Sequence, residues 1–218
     1  MIAFYERVLL VPAPATRRTQ AERRDATIGA LLEATIASLA ERGYAATSTA
    51  AICARAGVSQ GALFRHFKTR QDLFVAAAAR AAELNVEQAR SAFAGDVRDV
   101  AGVTATLGEL RAVVLSPTNQ TWRELLVAAR SDAELRAALR PARLEFGLQM
   151  LALATDQWGD VLPPEEIPAL LSLVVNVFDG WAFAAPDADA ASAPGPTQQA
   201  AMDLLAQMIV ARYTQESR

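Results

Sequence analysis

The sequence predicts an all-α protein: an N-terminal three-helix unit built on a helix-turn-helix, followed by a longer helical body. Three observations predict it. Apolar residues recur at helical spacing along most of the 218 residues, without strand alternation or internal repeats. The stretch Thr47 to Arg70, TSTAAICARAGVSQGALFRHFKTR, reads as two short helices across a glycine turn. Charge is unevenly divided, with nine Lys or Arg against four acids in residues 17–70 and eleven against nineteen in residues 71–218.

Taken in order, residues 1–16 are expected to form a disordered arm. Glu6 and Arg7 interrupt their apolar patch, and no basic region precedes it as in a secretion signal. A first helix is expected from Ala21 to Arg42, with Ile28, Leu31, Leu32, Ile36 and Leu39 on one stripe; Gly43 ends it and Tyr44 folds back on it. Thr47 is expected to cap a helix from Ser48 to Arg55, stopped by Gly57, with Ile52 and Ala56 inward. Val58 plugs the corner, and Ser59 caps a helix from Gln60 to about Phe67 that turns Leu63 and Phe67 inward. A fourth helix starts after Lys68 and Thr69 and runs through Leu73, Phe74, Ala77 and Leu84 into the nineties.

The rest also reads as helix. Val103 to Leu115 is one segment, closed by Ser116-Pro117; Asn119 or Thr121 opens another, with Trp122, Leu125, Leu126 and Ala129 inward. Asp132 caps a third, carrying Leu135, Leu139, Leu144, Leu148 and Leu151, in which Pro141 is expected to kink or split the helix. A very apolar helix begins at Pro164 or Pro168, either of which suits a first turn. Residues 187–196 form a loop, and Thr197 to Tyr213 the last helix.

Several function classes are disfavoured. No apolar run is expected to reach the roughly 18 residues of a membrane span. One cysteine, Cys53, allows no intrachain disulfide, so a cytoplasmic location is expected. The single histidine, His66, lies inside the motif, which leaves no histidine for a catalytic triad, a general base or a metal cluster elsewhere. With no glycine-rich phosphate loop either, no enzyme, cofactor or metal is expected.

The two-helix stretch has the form that places the start of its second helix in a DNA major groove. Gln60, Ala62, Phe64, Arg65 and His66 point outward there; Gln and Arg suit base edges, Ala and Phe suit thymine methyls or sugars. The basic first quarter of an otherwise acidic chain fits a polyanion partner. A non-catalytic helical adaptor is the competing class, and that basic quarter counts against it.

From about Arg23 to Glu83, and above all in AERGYAATSTAAICARAGVSQGALFRHFKTRQDLF, the sequence resembles the DNA-binding domain of the TetR family of bacterial transcriptional regulators. The Gly-Tyr helix end, the Ala-Gly-Val-Ser turn and the aromatic-x-x-Phe ending occur together in register. Phe64 stands where the family usually has a tyrosine and lacks the hydroxyl for a phosphate contact, while Gln60 and Arg65 occupy positions that vary with the operator. The resemblance implies a homodimeric repressor on palindromic double-stranded operator DNA, released by a small-molecule effector. Residues 17–67 would be the DNA-binding domain and 68–218 the effector-binding and dimerisation domain.

The DNA-binding residues expected are Thr47, Ser48, Ser59, Gln60, Gly61, Ala62, Phe64, Arg65, His66, Lys68 and Arg70, with Arg70 on a phosphate beside the fourth helix's N-terminus. The effector region that the family resemblance implies holds Phe93, Arg111, Trp122, Phe146, Met150, Asn176, Phe178 and Trp181. The last two long helices supply more apolar surface than packing on one side would hide. The resemblance assigns their Leu171, Val174, Val175, Phe178, Met202, Leu205, Met208 and Ile209 to a dimer interface.

Overall fold

The computed structural model describes residues 19–184 and 192–214. The expected arm, Arg17 and Arg18, and residues 187–191 of the expected loop lie outside the described residues. Nine helices are described, with no strand among those residues: α1 (Gln20–Ala46), α2 (Thr49–Ala56), α3 (Gln60–His66), α4 (Arg70–Phe93), α5 (Val100–Val114), α6 (Pro117–Ala128), α7 (Ala133–Trp158), α8 (Ile167–Ala184) and α9 (Pro196–Thr214).

Caps account for the early boundaries. The Thr19 hydroxyl accepts from the Glu22 N–H while the Glu22 carboxylate accepts from the Thr19 N–H, a reciprocal box that starts α1. Gly43 breaks the helical geometry at φ 74°, as its position predicts. Ser48, not Thr47, caps α2. Thr47 is buried, and its hydroxyl lies 3.0 Å from the Ser38 carbonyl and 2.8 Å from that of Gly43, so it fastens the corner after α1. Gly57, at φ 66°, ends α2 in the left-handed region, and Thr69 with Asp72 boxes the start of α4.

Later boundaries correct several expectations. Ser116 caps α6 with Pro117 in its first turn, so neither Asn119 nor Thr121 opens that helix. Pro141 lies inside α7, so of the kink or split expected there the split does not occur. Helix α8 takes the later of the two proline starts, with Pro168 as its second residue. At 18 residues and mean hydropathy 1.6 it is also long and apolar enough to cross a membrane, against the expectation that no run would be. One face packs into the core through Val174 and Phe178, and Asp179 on the same helix pairs with Arg123 of α6.

The described core falls into two clusters. The first joins the three-helix head to the first half of α4 and the α6–α7 corner, around Leu31, Leu39, Ile52, Leu63, Leu73, Phe74, Leu125 and Leu135. Each such fully buried side chain contributes roughly 1.5 to 3 kcal/mol of transfer free energy. The second joins the end of α4 to α5, α8, α9 and the end of α7. Leu126, expected inside, is exposed, as are Leu144 and Leu148 of α7, because α6 and α7 turn Leu125, Leu135 and Leu139 to the head instead. A buried polar set of Asn85, Ser116 and Thr118 fixes α4 against the start of α6.

Helix α6 also grips the head directly. The Thr121 hydroxyl donates to the Ile36 carbonyl at 3.0 Å, and the Glu124 carboxylate accepts from the Tyr44 N–H at 3.2 Å. A Cβ at Gly43 would stand 2.9 Å from that carboxylate, on a backbone that disfavours any side chain. Gly43→Ala is therefore expected to lower the unfolding free energy by about 1 to 3 kcal/mol. Urea denaturation followed by circular dichroism measures it; an unchanged midpoint would refute the tight corner.

Candidate nucleic-acid interface

The recognition surface follows from what α3 hides. Leu63 and Ile52 are fully buried, which pins one face of α3 against α2. Its opposite face must then turn outward, because residues three and four apart share a face. Gln60, Gly61, Arg65 and Lys68 are exposed, Phe64 is 48% exposed, and Ala62 and His66 are half-buried. Ser48 and Ser59 are exposed caps whose hydroxyls accept from the N–H groups of Ala51 at 3.2 Å and Ala62 at 3.1 Å. Cys53 is buried beneath, and desolvation pushes its thiol pKa up, which suits packing rather than redox chemistry.

Beside this face lies an open groove of about 830 Å³, lined by Gln20, Arg23, Arg24 and Thr27 from the start of α1 and by Arg65 and His66 from the end of α3. Three arginines and no acid line it. It extends the positive surface from the recognition helix onto α1, where a phosphate strand can run. Nothing in the sequence says that α1 and α3 meet there.

Arg70 has a different task from the one its sequence position suggests. Its guanidinium donates to the Thr47 carbonyl at 3.1 Å and 3.0 Å and to the Tyr44 carbonyl. It lies 4.5 Å from the Tyr44 ring centroid and 4.3 Å from that of Phe74, and those rings meet edge-on. Arg70 therefore ties the start of α4 to the corner between α1 and α2 and has few donors left for a phosphate. With Thr47 buried, two of the expected DNA contacts are internal. Arg55 is similarly occupied, gripping Glu41 through two bonds of 2.6 and 2.7 Å that join α2 to α1 and hold the Glu41 carboxyl below its ordinary pKa.

The residues expected to form an effector pocket are divided between the two core clusters, with only Arg111, Phe178 and Trp181 meeting around one small cavity. Trp122 and Phe146 stack on each other, ring centroids 5.6 Å apart, and belong to the first core cluster. Phe93 is buried against Trp158, and Phe178 against Trp181, in the second. Arg111 is buried with its guanidinium on the Ser192 carbonyl, Met150 packs on the second cluster, and Asn176 is exposed and bonded to Ser172. The interface set is corrected too: Val174, Phe178, Met202 and Ile209 are buried within this chain, while Leu171, Val175 and Leu205 are half-buried. The large apolar side chains that α8 and α9 leave exposed are Leu173, Phe183, Leu204 and Met208, of which only Met208 was expected.

An exposed recognition helix, pinned by a three-helix core beside an arginine-lined groove, defines a helix-turn-helix DNA-binding regulator. Comparison with known proteins agrees. Residues 31–77 match the family described as bacterial regulatory proteins, tetR family. An uncharacterised HTH-type transcriptional regulator of Mycobacterium tuberculosis is 38% identical over 167 residues, 76% of this chain and 86% of that protein. A TetR-family transcriptional regulator of Mesorhizobium loti has the same fold at TM-score 0.65 and 18% identity, over 90% of this chain and 99% of that one. The multidrug binding protein EbrR, solved with imidazole, aligns at TM-score 0.56 and 25% identity over 86% of this chain and 94% of its own. The chain belongs to the TetR family of bacterial transcriptional regulators, which are not enzymes.

Arg70 and Lys68 are expected to separate cleanly on substitution. Arg70→Ala removes charge-assisted bonds to two carbonyls, so stability should fall by about 1.5 to 3 kcal/mol while the salt dependence of DNA binding by the folded protein stays the same. Lys68→Ala should leave stability unchanged and reduce the slope of log affinity against log salt by about one. Thermal melts and DNA titrations at several salt concentrations read both.

Proposed function

We propose that this regulator is a cytoplasmic repressor that binds a palindromic operator as a homodimer and leaves it when an effector binds the body. Residues 17–67 serve as the DNA-binding part and 68–218 as the effector-binding and dimerising part. The observation that carries the reading is the exposed face of α3, where Gln60 and Arg65 stand clear of the core with hydrogen-bonding groups free for base edges.

Dimerisation is supported by the apolar residues that the fold leaves uncovered. Leu204 and Met208, four apart on α9, are 58% and 61% exposed, and Leu173 on α8 is 51% exposed. A two-fold pairing over these helices hides them and presents two recognition helices to half-sites about 34 to 36 Å apart. Effector control is supported by the small-molecule binding of the structural relative EbrR and by the grip of α6 on the head. An effector that favours another head spacing lowers DNA affinity by a coupling of about 1 to 3 kcal/mol, and DNA weakens the effector equally.

Selection of bound sequences from a random DNA pool tests the reading. A palindromic consensus is expected, and Gln60→Ala or Arg65→Ala should each relax one position per half-site by about 1 to 3 kcal/mol. Preferences unchanged in both variants would refute the recognition face. The double variant Leu204→Glu, Met208→Glu should sediment as a monomer and lose operator affinity while keeping its helical spectrum; a dimer that survives both charges would place the interface elsewhere.

A further inference from the structure

A second open cleft lies far from the recognition helix in sequence, between the α6–α7 corner and the end of α8. Its volume is about 740 Å³, within the usual range for small-molecule sites. Its composition is unusual for this chain. Residues 71–218 hold eleven Lys or Arg among nineteen acids, yet five of those eleven, Arg123, Arg130, Arg136, Arg140 and Arg143, line this cleft against one acid, Asp179. Arg136, Arg140 and Arg143 stand at i, i+4 and i+7 on α7, so their charges share one face. Like charges so placed repel one another, a cost that an anionic occupant removes.

Most of this charge is uncommitted. Arg123 donates to Asp179 at 3.3 Å and to the Val114 carbonyl, and Arg136 to the carbonyls at the end of α6. The guanidinium groups of Arg130, Arg140 and Arg143 have no ion pair or hydrogen bond among the described residues. Between the arginines the walls are apolar: Leu126 and Val127 of α6 and Phe183 of α8 are 37%, 45% and 63% exposed. An exposed apolar wall beside unpaired guanidiniums fits a molecule with an apolar body and one anionic end.

We infer that this cleft is the effector site, and that its ligand is an amphipathic organic anion whose acid group takes Arg123 from Asp179. The inference deepens the reading of effector control and rests on it only for the consequence at the DNA. The arginine–aspartate pair joins α6 to α8, while the other side of α6 holds the head through Thr121 and Glu124. A ligand acid on Arg123 loosens α6 from α8, and the helix that moves is the one on which the head rests. Asp179 is partly buried, and this desolvation pushes its carboxyl pKa up against the pull of Arg123.

The test is calorimetric titration of the full chain with octanoate, decanoate and 4-phenylbutanoate, each beside its neutral alcohol. The acids are expected to bind about tenfold more tightly than the alcohols or better, since the charge-assisted bonds are theirs alone. Arg140→Ala with Arg143→Ala, both on the exposed face of α7, should weaken the acids about tenfold and leave the alcohols unchanged. Asp179→Asn should tighten the acids severalfold by removing their competitor. Equal binding of acids and alcohols, absence of binding by every acid, or acid affinity unchanged in the arginine variant would overturn the site. So would a dimer that dissociates in the arginine variant, because the cleft would then be an interface. Operator affinity, measured separately with and without bound acid, tests the other reading: acids that bind without releasing DNA leave the site standing and remove effector-driven release.

Discussion

The head of this protein depends on one guanidinium. Arg70 is the first residue of α4, and it lies over the rings of Tyr44 and Phe74 while donating to carbonyls at the end of α1. The Tyr44 carbonyl lies in the last turn of α1 and the Thr47 carbonyl at its C-cap, so a cation there also meets the negative end of the α1 dipole. One side chain thus satisfies the corner, packs the aromatic pair and fixes where α4 leaves the head. The direction of α4 sets how the recognition helix is carried by everything beyond it.

The same corner is held from the other side by α6. Glu124 accepts from the Tyr44 N–H and Thr121 donates to the Ile36 carbonyl, so the head is fastened both to the helix that follows it and to one that comes fifty residues later. The first core cluster reflects this, running from α1 through α4 into the α6–α7 corner without a seam.

How the chain apportions its arginines follows from what surrounds each one. Arg55 and Arg70 lie in the basic quarter, yet both hold the head together, through Glu41 and through backbone carbonyls. Arg23, Arg24 and Arg65 line an open groove with no acid among its lining residues. Net charge by segment therefore pointed to the right partner while miscounting the residues available to it. In the body the opposite happened: an acidic total concealed a local concentration of five arginines.

The sequence by itself determined the helices, the turns and the family. Helical periodicity, the glycines at 43 and 57, and caps such as Ser59, Thr69 and Asp132 are local signals, since each acts within one turn of chain. The reciprocal box of Thr19 and Glu22 was equally legible, and reading it would have set the start of α1. Tertiary structure alone decided which side of each apolar helix faces inward. In α7 and α8 apolar residues occur nearly all round, so Leu153 is buried and Leu148 exposed, Val174 buried and Leu173 exposed, according to the neighbour each one meets. It alone decided that Arg70 bonds carbonyls twenty-odd residues earlier, and that arginines of α6 and α7 line one cleft with Asp179 of α8. Such contacts depend on the packing of distant helices, and a one-dimensional pattern carries the period of a helix but not the identity of the surface laid against it.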